Sequence, residues 1–229
     1  MALTFIDLCN TTLRRLNEVE ISEAGFSTTR GVQSLVKDAV KNSINNINQK
    51  HFEWPFNAAQ ETATLTVGAT EYSFPSTFKT IDWSSFQIIP DGTYETTNSR
   101  LRYIDRDEWY AKYRDSDDDA ASTGISKPEY VFNAHGFGFG VSPAPDATYR
   151  IQFRYFLNET TLDAYNDTTT IPDVFKYVIV DGAIYHLYMF RDNTEQAQVA
   201  YQVFEQGIGR MRTLYINHQD YIRDTRVKF

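Results

Sequence analysis

The feature that most constrains the fold is a pair of helical patterns within residues 171–215. Mostly apolar side chains recur there every three or four residues, the spacing that places them along one face of an α-helix. The two sets are Tyr177, Val180, Ile184, Leu187 and Arg191, then Ala197, Tyr201, Phe204, Ile208 and Met211. Because the polar break at residues 191–194 is short, we expect two antiparallel helices whose apolar faces need a partner elsewhere in the chain.

The first helix of this hairpin has a start signal in the sequence. Thr170 is expected to cap its N-terminus, and Asp173 follows three residues later. Pro172 would lie in the first turn, where the missing N–H has no helical partner to lose. We therefore expect the helix to begin at residue 171.

Two further amphipathic helices are predicted at the start of the chain. In the first, Thr4 and Asp7 resemble a capping box, and Phe5, Leu8 and Cys9 share one face. The second covers about residues 29–50, with apolar residues at helical spacing. Since both helix pairs need a partner, we expect one antiparallel bundle built from residues 1–57 and 171–215.

The middle of the chain, residues 58–170, is expected to be an inserted β domain with a connecting loop. Apolar residues there alternate with a period of two, and glycine and proline turns separate the runs. The runs are residues 64–67, 72–74, 86–89, 101–104, 130–132 and 149–155. Short strands at this spacing predict an antiparallel sandwich or barrel, so the predicted fold class is α+β.

Two segments interrupt the strand pattern. Residues 106–113 have helical spacing, which predicts a short helix whose Trp109 caps the end of the sheet. The acidic run at residues 115–119 is predicted to be a solvated loop. A calcium loop is the less favoured alternative, because the run lacks the glycine and the distal glutamate of the EF-hand pattern.

Composition excludes several classes of protein. The 41% of hydrophobic residues and 15% of aromatic residues are typical of a folded chain, and a net charge of −8 disfavours extensive binding of nucleic acid. The single cysteine, Cys9, rules out a disulfide framework and a multi-cysteine metal site. We find no signal-peptide pattern and no run near the roughly 18 apolar residues of a membrane span, so we expect synthesis in the cytoplasm and no membrane partner.

No residue pattern predicts a catalytic centre, a cofactor site or a metal site. The four histidines lack the spacing of metal ligands, and we interpret His186 and Cys9 as packing residues. The alternation of glycine and phenylalanine at residues 135–140 predicts a strand with close backbone contacts rather than a phosphate loop. Carboxylate pairs suited to glycoside hydrolysis stay possible with 30 acidic residues, but the sequence singles out no pair.

Two basic features contrast with the acidic composition. Arg100, Arg102, Arg150 and Arg154 alternate with apolar residues, which is typical of ordinary half-exposed strands and, as the less favoured alternative, of basic outer faces. The second feature is the C-terminal segment, because residues 210–229 contain five basic and two acidic residues.

The C-terminal arm, residues 216–229, has apolar residues along its length and no core of its own to enter. Such a segment is suited to docking on another, acidic subunit, and a frayed terminus is the alternative. The residues predicted to make this contact are Tyr215, Ile216, Tyr221, Ile222, Arg223, Arg226, Val227, Lys228 and Phe229.

Several short motifs occur in a recognisable order. They are Phe-Glu-Trp-Pro-Phe-Asn at 52–57, Lys-Pro-Glu-Tyr at 127–130, Val-Ser-Pro-Ala-Pro-Asp at 141–146, the strand at 149–155, Ile-Pro-Asp at 171–173 and Asp-Gly-Ala at 181–183. This order resembles the head-to-tail adaptor proteins of short-tailed bacteriophages, the relatives of tail tubular protein A. The resemblance spans nearly the whole chain, and the β insertion is longer than in the smaller members.

The resemblance implies a structural virion protein rather than an enzyme. Such adaptors form a ring of twelve copies at the head–tail interface, between the portal and the tail nozzle, and DNA passes through the ring. The helical bundle would line or brace the channel, the β domain would face outward or toward the tail nozzle, and the C-terminal arm would clasp the portal.

Two other functions fit parts of the sequence. A phage-associated cell-wall hydrolase would need two converging carboxylates. A carbohydrate-binding module for host attachment would use the aromatic β domain, but it leaves the long helices without a role.

Overall fold

A computed structural model describes residues 3–51, 53–90, 92–93, 97–118, 124–159 and 161–215. The chain divides into two compact units, a helical unit from Met1–Asn57 and Glu159–Phe229, and a β unit from Ala58–Asn158. Helices and strands are both abundant, which confirms the α+β class. The α-helices are α1 Phe5–Arg15, α2 Val32–Lys50, α3 Arg106–Lys112, α4 Arg114–Asp118, α5 Lys176–Phe190 and α6 Thr194–Tyr215.

The two N-terminal helices begin for different reasons. Thr4 caps α1 as predicted, because the Asp7 N–H donates to Thr4 Oγ1 at 3.4 Å and the Thr4 hydroxyl donates to Asp7 Oδ2 at 2.6 Å. The second helix, α2, begins at Val32, three residues later than predicted. Gly31 precedes it with φ +60°, a left-handed conformation that an α-helix does not contain.

The predicted cap of α5 is wrong. Thr170 instead donates its hydroxyl to Asn57 Oδ1 at 2.6 Å, and Pro172 is extended with ψ 145°. The chain then makes one 3₁₀ turn, Asp173–Phe175, and α5 begins at Lys176. A long-range hydrogen bond to Asn57 has therefore replaced the local capping interaction that the sequence suggested.

This hydrogen bond is part of a polar network at residues 57 and 159, where the chain passes between the helical unit and the β unit. Asn57 donates to Asn48 Oδ1 at 2.8 Å, and Asn48 donates to Glu159 Oε2 at 2.6 Å. Glu159 also accepts the backbone N–H of Thr170 at 3.0 Å. Buried amides and carboxylates need such partners, so the network fixes the connections at residues 57 and 159 to the end of α2.

The apolar face predicted for α5 is only partly right. Val180, Ile184 and Leu187 are buried, but Tyr177 is 59% exposed and Arg191 lies beyond the end of the helix. The reason is that α5 packs against α1, α2 and α6 together, so it is apolar on several sides instead of along one stripe. On α6 the predicted face is buried except for Tyr201, which lies at its edge.

Close contact among α2, α5 and α6 depends on Gly182. A Cβ at this position would lie 2.2 Å from Ser43 Oγ and 2.7 Å from the Phe204 ring. The Ser43 hydroxyl also donates to the Ile179 carbonyl oxygen at 2.8 Å, which satisfies a buried polar group in the same contact. The absence of a side chain at residue 182 therefore sets the spacing of three helices.

The β unit contains two sheets. The strands are β1 Ala58–Thr64, β2 Glu71–Ser73, β3 Phe78–Ile81, β4 Gln87–Ile89, β5 Ser99–Arg100, β6 Arg102–Tyr103, β7 Tyr130–Ala134, β8 Gly138–Ser142 and β9 Arg150–Leu157. The five-stranded sheet has the order β1-β9-β4-β5, with β3 also paired to β9, and the four-stranded sheet has the order β2-β8-β7-β6.

One strand pair departs from the predicted antiparallel arrangement. Strands β6 and β7 are parallel, whereas the other named pairs are antiparallel. The chain crosses directly from the five-stranded sheet at Arg100 to the four-stranded sheet at Arg102, with Leu101 buried between them. This direct crossing, rather than a hairpin, sets the direction of β6.

The predicted strand runs are right in part. Five of them overlap β2, β4, β6, β7 and β9, but the run at 64–67 is wrong beyond Thr64, where β1 ends. Leu65 is nevertheless buried in the core of the β unit. Strand β3 was not predicted, because its residues do not alternate between buried and exposed.

The two sheets share one hydrophobic core. The five-stranded sheet contributes Ile151 and Phe153 of β9, and Phe86 comes from the segment just before β4. The four-stranded sheet contributes Phe139 and Val141. The Phe86 and Phe153 rings stack with centroids 4.9 Å apart, and Phe139 lies 5.3 Å from Phe153. The inward side chains of both sheets therefore face each other.

The predicted short helix is confirmed as α3, but Trp109 covers a face of the sheet instead of capping its end. Its ring stacks on Phe132 of β7, with centroids 4.3 Å apart, and Ile104 completes this small cluster. Phe132 follows Val131 in the strand, so it points away from the core between the sheets. Helix α3 therefore packs on the outer face of the four-stranded sheet.

The acidic run is not a loop over its described part. Arg114–Asp118 forms α4, and Asp119 lies outside the described residues. Asp117 is only 2% exposed, and its two oxygens accept the Trp109 Nε1–H at 2.7 Å and the Ala144 N–H at 3.2 Å. The sequence pattern could not show that one of these aspartates has two buried donors as partners.

Replacement of Asp117 is expected to destabilise the β unit. In Asp117→Asn only one oxygen is left for two buried N–H donors, so the free energy of unfolding should fall by about 1–2 kcal/mol. Asp115→Asn is the matched control, because Asp115 is exposed in the same short helix. Urea unfolding followed by tryptophan fluorescence measures both, and equal stabilities would contradict a structural role for the Asp117 carboxylate.

Candidate docking groove at the end of the last helix

An open groove of about 690 Å³ lies along the last turns of α6. It is lined by Phe175, Gln206, Gly209, Arg210, Thr213 and Leu214. A smaller depression of about 360 Å³ shares Phe175, Gln206 and Arg210 with it and extends to Val174, Tyr177 and Val203. Together they form one continuous surface, which we call the docking groove.

The shape of the docking groove follows from local structure. Phe175 ends the 3₁₀ turn before α5, which places its ring beside α6 rather than within a helix face of its own. Gly209 contributes no side chain, and a Cβ there would meet no atom within 4 Å. The recess therefore lies between Gly209, where α6 lacks a side chain, and Phe175, which precedes the first residue of α5.

Apolar side chains on the docking groove are unusually exposed. Val174 is 78% exposed, Leu214 is 60% exposed, and Tyr177 and Val203 are also exposed. Single exposed apolar residues are common, but a contiguous set on one surface is typical of an interaction site. Val203 and Leu214 lie outside the buried face of α6, so the periodicity used to predict that face did not identify them.

Charged residues border the docking groove. Arg210 is exposed on its α6 side, and Asp181 lies on its α5 side, paired with Arg15 of α1. The Arg15 guanidinium also lies 5.1 Å from the centre of the Tyr177 ring. Exposed apolar side chains beside charged groups are usual on a protein-binding surface.

Tyr215, the first residue of the predicted portal contact, is the last residue of α6 and is anchored in the helical unit. Its ring lies 5.6 Å from Phe175 and 6.1 Å from Phe56. The other predicted arm residues lie outside the described residues: Ile216, Tyr221, Ile222, Arg223, Arg226, Val227, Lys228 and Phe229. The last described residue, Tyr215, thus lies beside the docking groove, and the portal contact stays a prediction.

The end of α6 is also held against α2. Arg212 donates to the Lys50 carbonyl oxygen at 2.9 Å, and the Lys50 ammonium pairs with Glu205. The hydrogen bond to Glu205 raises the pKa of Lys50 above its usual value. Because Tyr201 also accepts from Lys50, the end of α2 contacts α6 at several points along its length, including its last turn.

Cys9 and His186 occupy packing positions in the helical unit. Cys9 is buried, and burial raises the pKa of its thiol to about 12, so the reactive thiolate is scarce at neutral pH. His186 lies 3.0 Å from Asn46 through its Nε2 atom, and partial burial lowers the pKa of the imidazole.

The run of alternating glycine and phenylalanine is a turn followed by a tightly packed strand. Residues 135–137 form the turn between β7 and β8, and Gly138 and Gly140 lie in β8. A Cβ at Gly138 would lie 2.3 Å from the Tyr72 carbonyl oxygen, and one at Gly140 would lie 2.1 Å from the Phe132 ring. The predicted close contact is confirmed for β8.

The four predicted basic strand residues are all exposed. Arg100, Arg150 and Arg154 lie on the five-stranded sheet, and Arg102 lies on the four-stranded sheet. Three of them therefore share a second surface, in the β unit.

Across the described ranges, no group of three or more His, Cys, Asp or Glu side chains is placed to hold a metal ion. No helix in the part of the chain that the structure describes is long and apolar enough to span a bilayer.

A family model described as SU10 adaptor protein matches residues 3–227, which is nearly the whole chain. A comparison with curated proteins finds no match.

Proposed function

Because this chain belongs to the SU10 adaptor protein family, a family of bacteriophage structural proteins, we propose that it joins the portal to the tail as a ring. The observation that carries the proposal is the extent of the family match, residues 3–227, which includes both units and most of the C-terminal arm. The proposed ring has twelve copies and lies at the head–tail interface of the virion. The host cytoplasm is the proposed place of synthesis.

The helical unit is the proposed portal-binding part. It presents the docking groove at the end of α6, and the chain continues from Tyr215 into the arm of residues 216–229 at the same place. Tyr215 is fixed by Phe56 and Phe175, so the arm starts from a defined point. We assign the groove and the arm to one contact, in which the portal covers the exposed Leu214 and binds the arm.

The β unit and the charge of the chain fit the other parts of the proposal. The β unit would contact neighbouring adaptors and the tail nozzle. A net charge of −8 would limit binding of DNA to the ring, because a polyanion is retained by clustered lysine and arginine side chains. DNA would then pass the ring with only transient, non-specific contacts.

The mass of the assembled protein tests this function. Native mass spectrometry of the purified chain, alone and mixed with the portal protein, should show a complex with twelve adaptor copies on the portal. A chain that stays monomeric under both conditions would contradict the ring. Clearing of peptidoglycan by the monomer would instead support the hydrolase alternative.

A further inference from the structure

The two outer faces of the β unit differ. On one side, α3 packs on the outer face of the four-stranded sheet through Trp109 and Phe132. On the other side, the outer face of the five-stranded sheet is exposed at Gln60, Thr62 and Arg150. The β unit therefore has three layers: the helices, the four-stranded sheet and the five-stranded sheet. The outer face of the five-stranded sheet is exposed.

The exposed sheet face is basic. Strand register places Arg154 opposite Gln60, Arg150 opposite Thr64, and Arg100 opposite Gln87. Among the described strand residues on this face, none is acidic. The outward strand residues are Ala58, Gln60, Thr62, Thr64, Thr80, Gln87, Ile89, Arg100, Arg150, Gln152, Arg154 and Phe156. We call this surface the arginine face.

Hydrogen bonds position two of the three arginines. The Arg100 Nε–H donates to the Ser84 carbonyl oxygen at 2.9 Å, and Arg154 forms an ion pair with Asp82, Nη2 to Oδ2 at 2.8 Å. Arg100 and Arg150 therefore supply the net positive charge of the face. Between them, Gln87 donates to Gln152 Oε1 at 3.0 Å. These groups line a polar depression of about 310 Å³, where guanidinium and amide N–H groups can meet carboxylates.

The opposite side of the β unit is acidic. We call α3, α4 and their connecting residues, 105–118, the helical layer, which has six acidic and three basic residues. Asp105, Asp107 and Asp115 are exposed. Of the three basic residues, Arg106 is mostly buried and lies 3.9 Å from Glu71, Lys112 pairs with Glu108, and Arg114 is exposed. The exposed charge of the layer is therefore mainly negative.

From this polarity we propose that β units of neighbouring copies contact each other head to tail, with the arginine face of one copy against the helical layer of the next. Opposite charges on opposite sides of one unit favour a contact between two different surfaces, which is the heterologous interface that a ring requires. The occupant of the arginine face is a second copy of this chain. This proposal rests on the proposed ring, and it names the two surfaces through which neighbouring copies in that ring would contact each other.

Charge reversal on each side tests the contact. Arg100→Glu with Arg150→Glu makes the arginine face negative, and Asp107→Lys with Asp115→Lys makes the helical layer positive. Each double variant alone should lose the ring mass in native mass spectrometry, with the portal protein present, because like charges then meet at every contact. An equimolar mixture should recover the ring with the two variants alternating, since both junctions are again complementary.

The control is Arg30→Glu, an exposed charge reversal in the helical unit, which should keep the wild-type mass. Thermal unfolding of each variant confirms that the fold is retained. A ring formed by either reversed variant alone, or a mixture that fails to recover the ring, would overturn the head-to-tail contact while the wild-type ring stands. A wild-type chain that never assembles would overturn the proposed function itself.

Discussion

Deletion of residues 220–229 is expected to abolish binding of the portal protein and to leave both structural units folded. The deleted residues include Tyr221, Ile222 and Phe229, which have the apolar surface of a docking segment, and three basic residues that can pair with an acidic partner. No described residue is removed, because the structure describes the chain up to Tyr215. Binding is measured by co-sedimentation with the purified portal, and folding by circular dichroism.

A second variant separates charge from apolar contact in this prediction. Replacement of Arg223, Arg226 and Lys228 by alanine keeps the length and the apolar residues of the arm, so it should weaken portal binding without abolishing it. The loss should be larger at low salt, since charge pairs are screened as salt rises. Full portal binding after the deletion would refute the assignment of the arm and leave the docking groove as the candidate contact.

Replacement of Gly182 by valine is expected to destabilise the helical unit by about 3 kcal/mol, the upper part of the range for overpacked cores. The Cβ alone would lie 2.2 Å from Ser43 Oγ and 2.7 Å from the Phe204 ring, and valine adds two methyl groups. Three helices would have to move apart to admit it. Denaturant unfolding followed by far-ultraviolet circular dichroism measures the change.

Gly209→Val is the matched control for this prediction. Gly209 lies in the same hairpin, on α6, but a Cβ there meets no atom within 4 Å. Because valine forms helices at least as well as glycine, stability should change by less than about 0.5 kcal/mol. Similar losses in the two variants would contradict a special role for Gly182 in the close contact of α2, α5 and α6.

Local patterns in the sequence were sufficient to predict features that depend on residues close together in one helix or one strand. Thr4 caps α1 through a residue three positions away, and the α6 face of Ala197, Phe204, Ile208 and Met211 is buried as its spacing predicts. The alternation around Phe153 likewise predicts β9. These features depend on the geometry of one helix or one strand, which the order of residues already specifies.

The candidate site was accessible from the sequence only in part. The sequence identified the apolar and basic arm, and the described structure ends where that arm begins, at Tyr215. The docking groove was missed, because it needs Phe175, Gly209 and Leu214 from two segments to lie together. A signal was present in Val203 and Leu214, which are apolar but fall outside the predicted face of α6.

By itself, the sequence determined the α+β class, the helices at both ends of the chain and the basic, apolar character of the arm. Only the tertiary structure decided which side chains and helix faces are buried by distant parts of the chain and which stay exposed. Thr170 binds Asn57 instead of capping a helix, α5 is surrounded by three helices, and Asp117 is buried against Trp109. Each outcome depends on a partner distant in the sequence, and local periodicity contains no information about such partners.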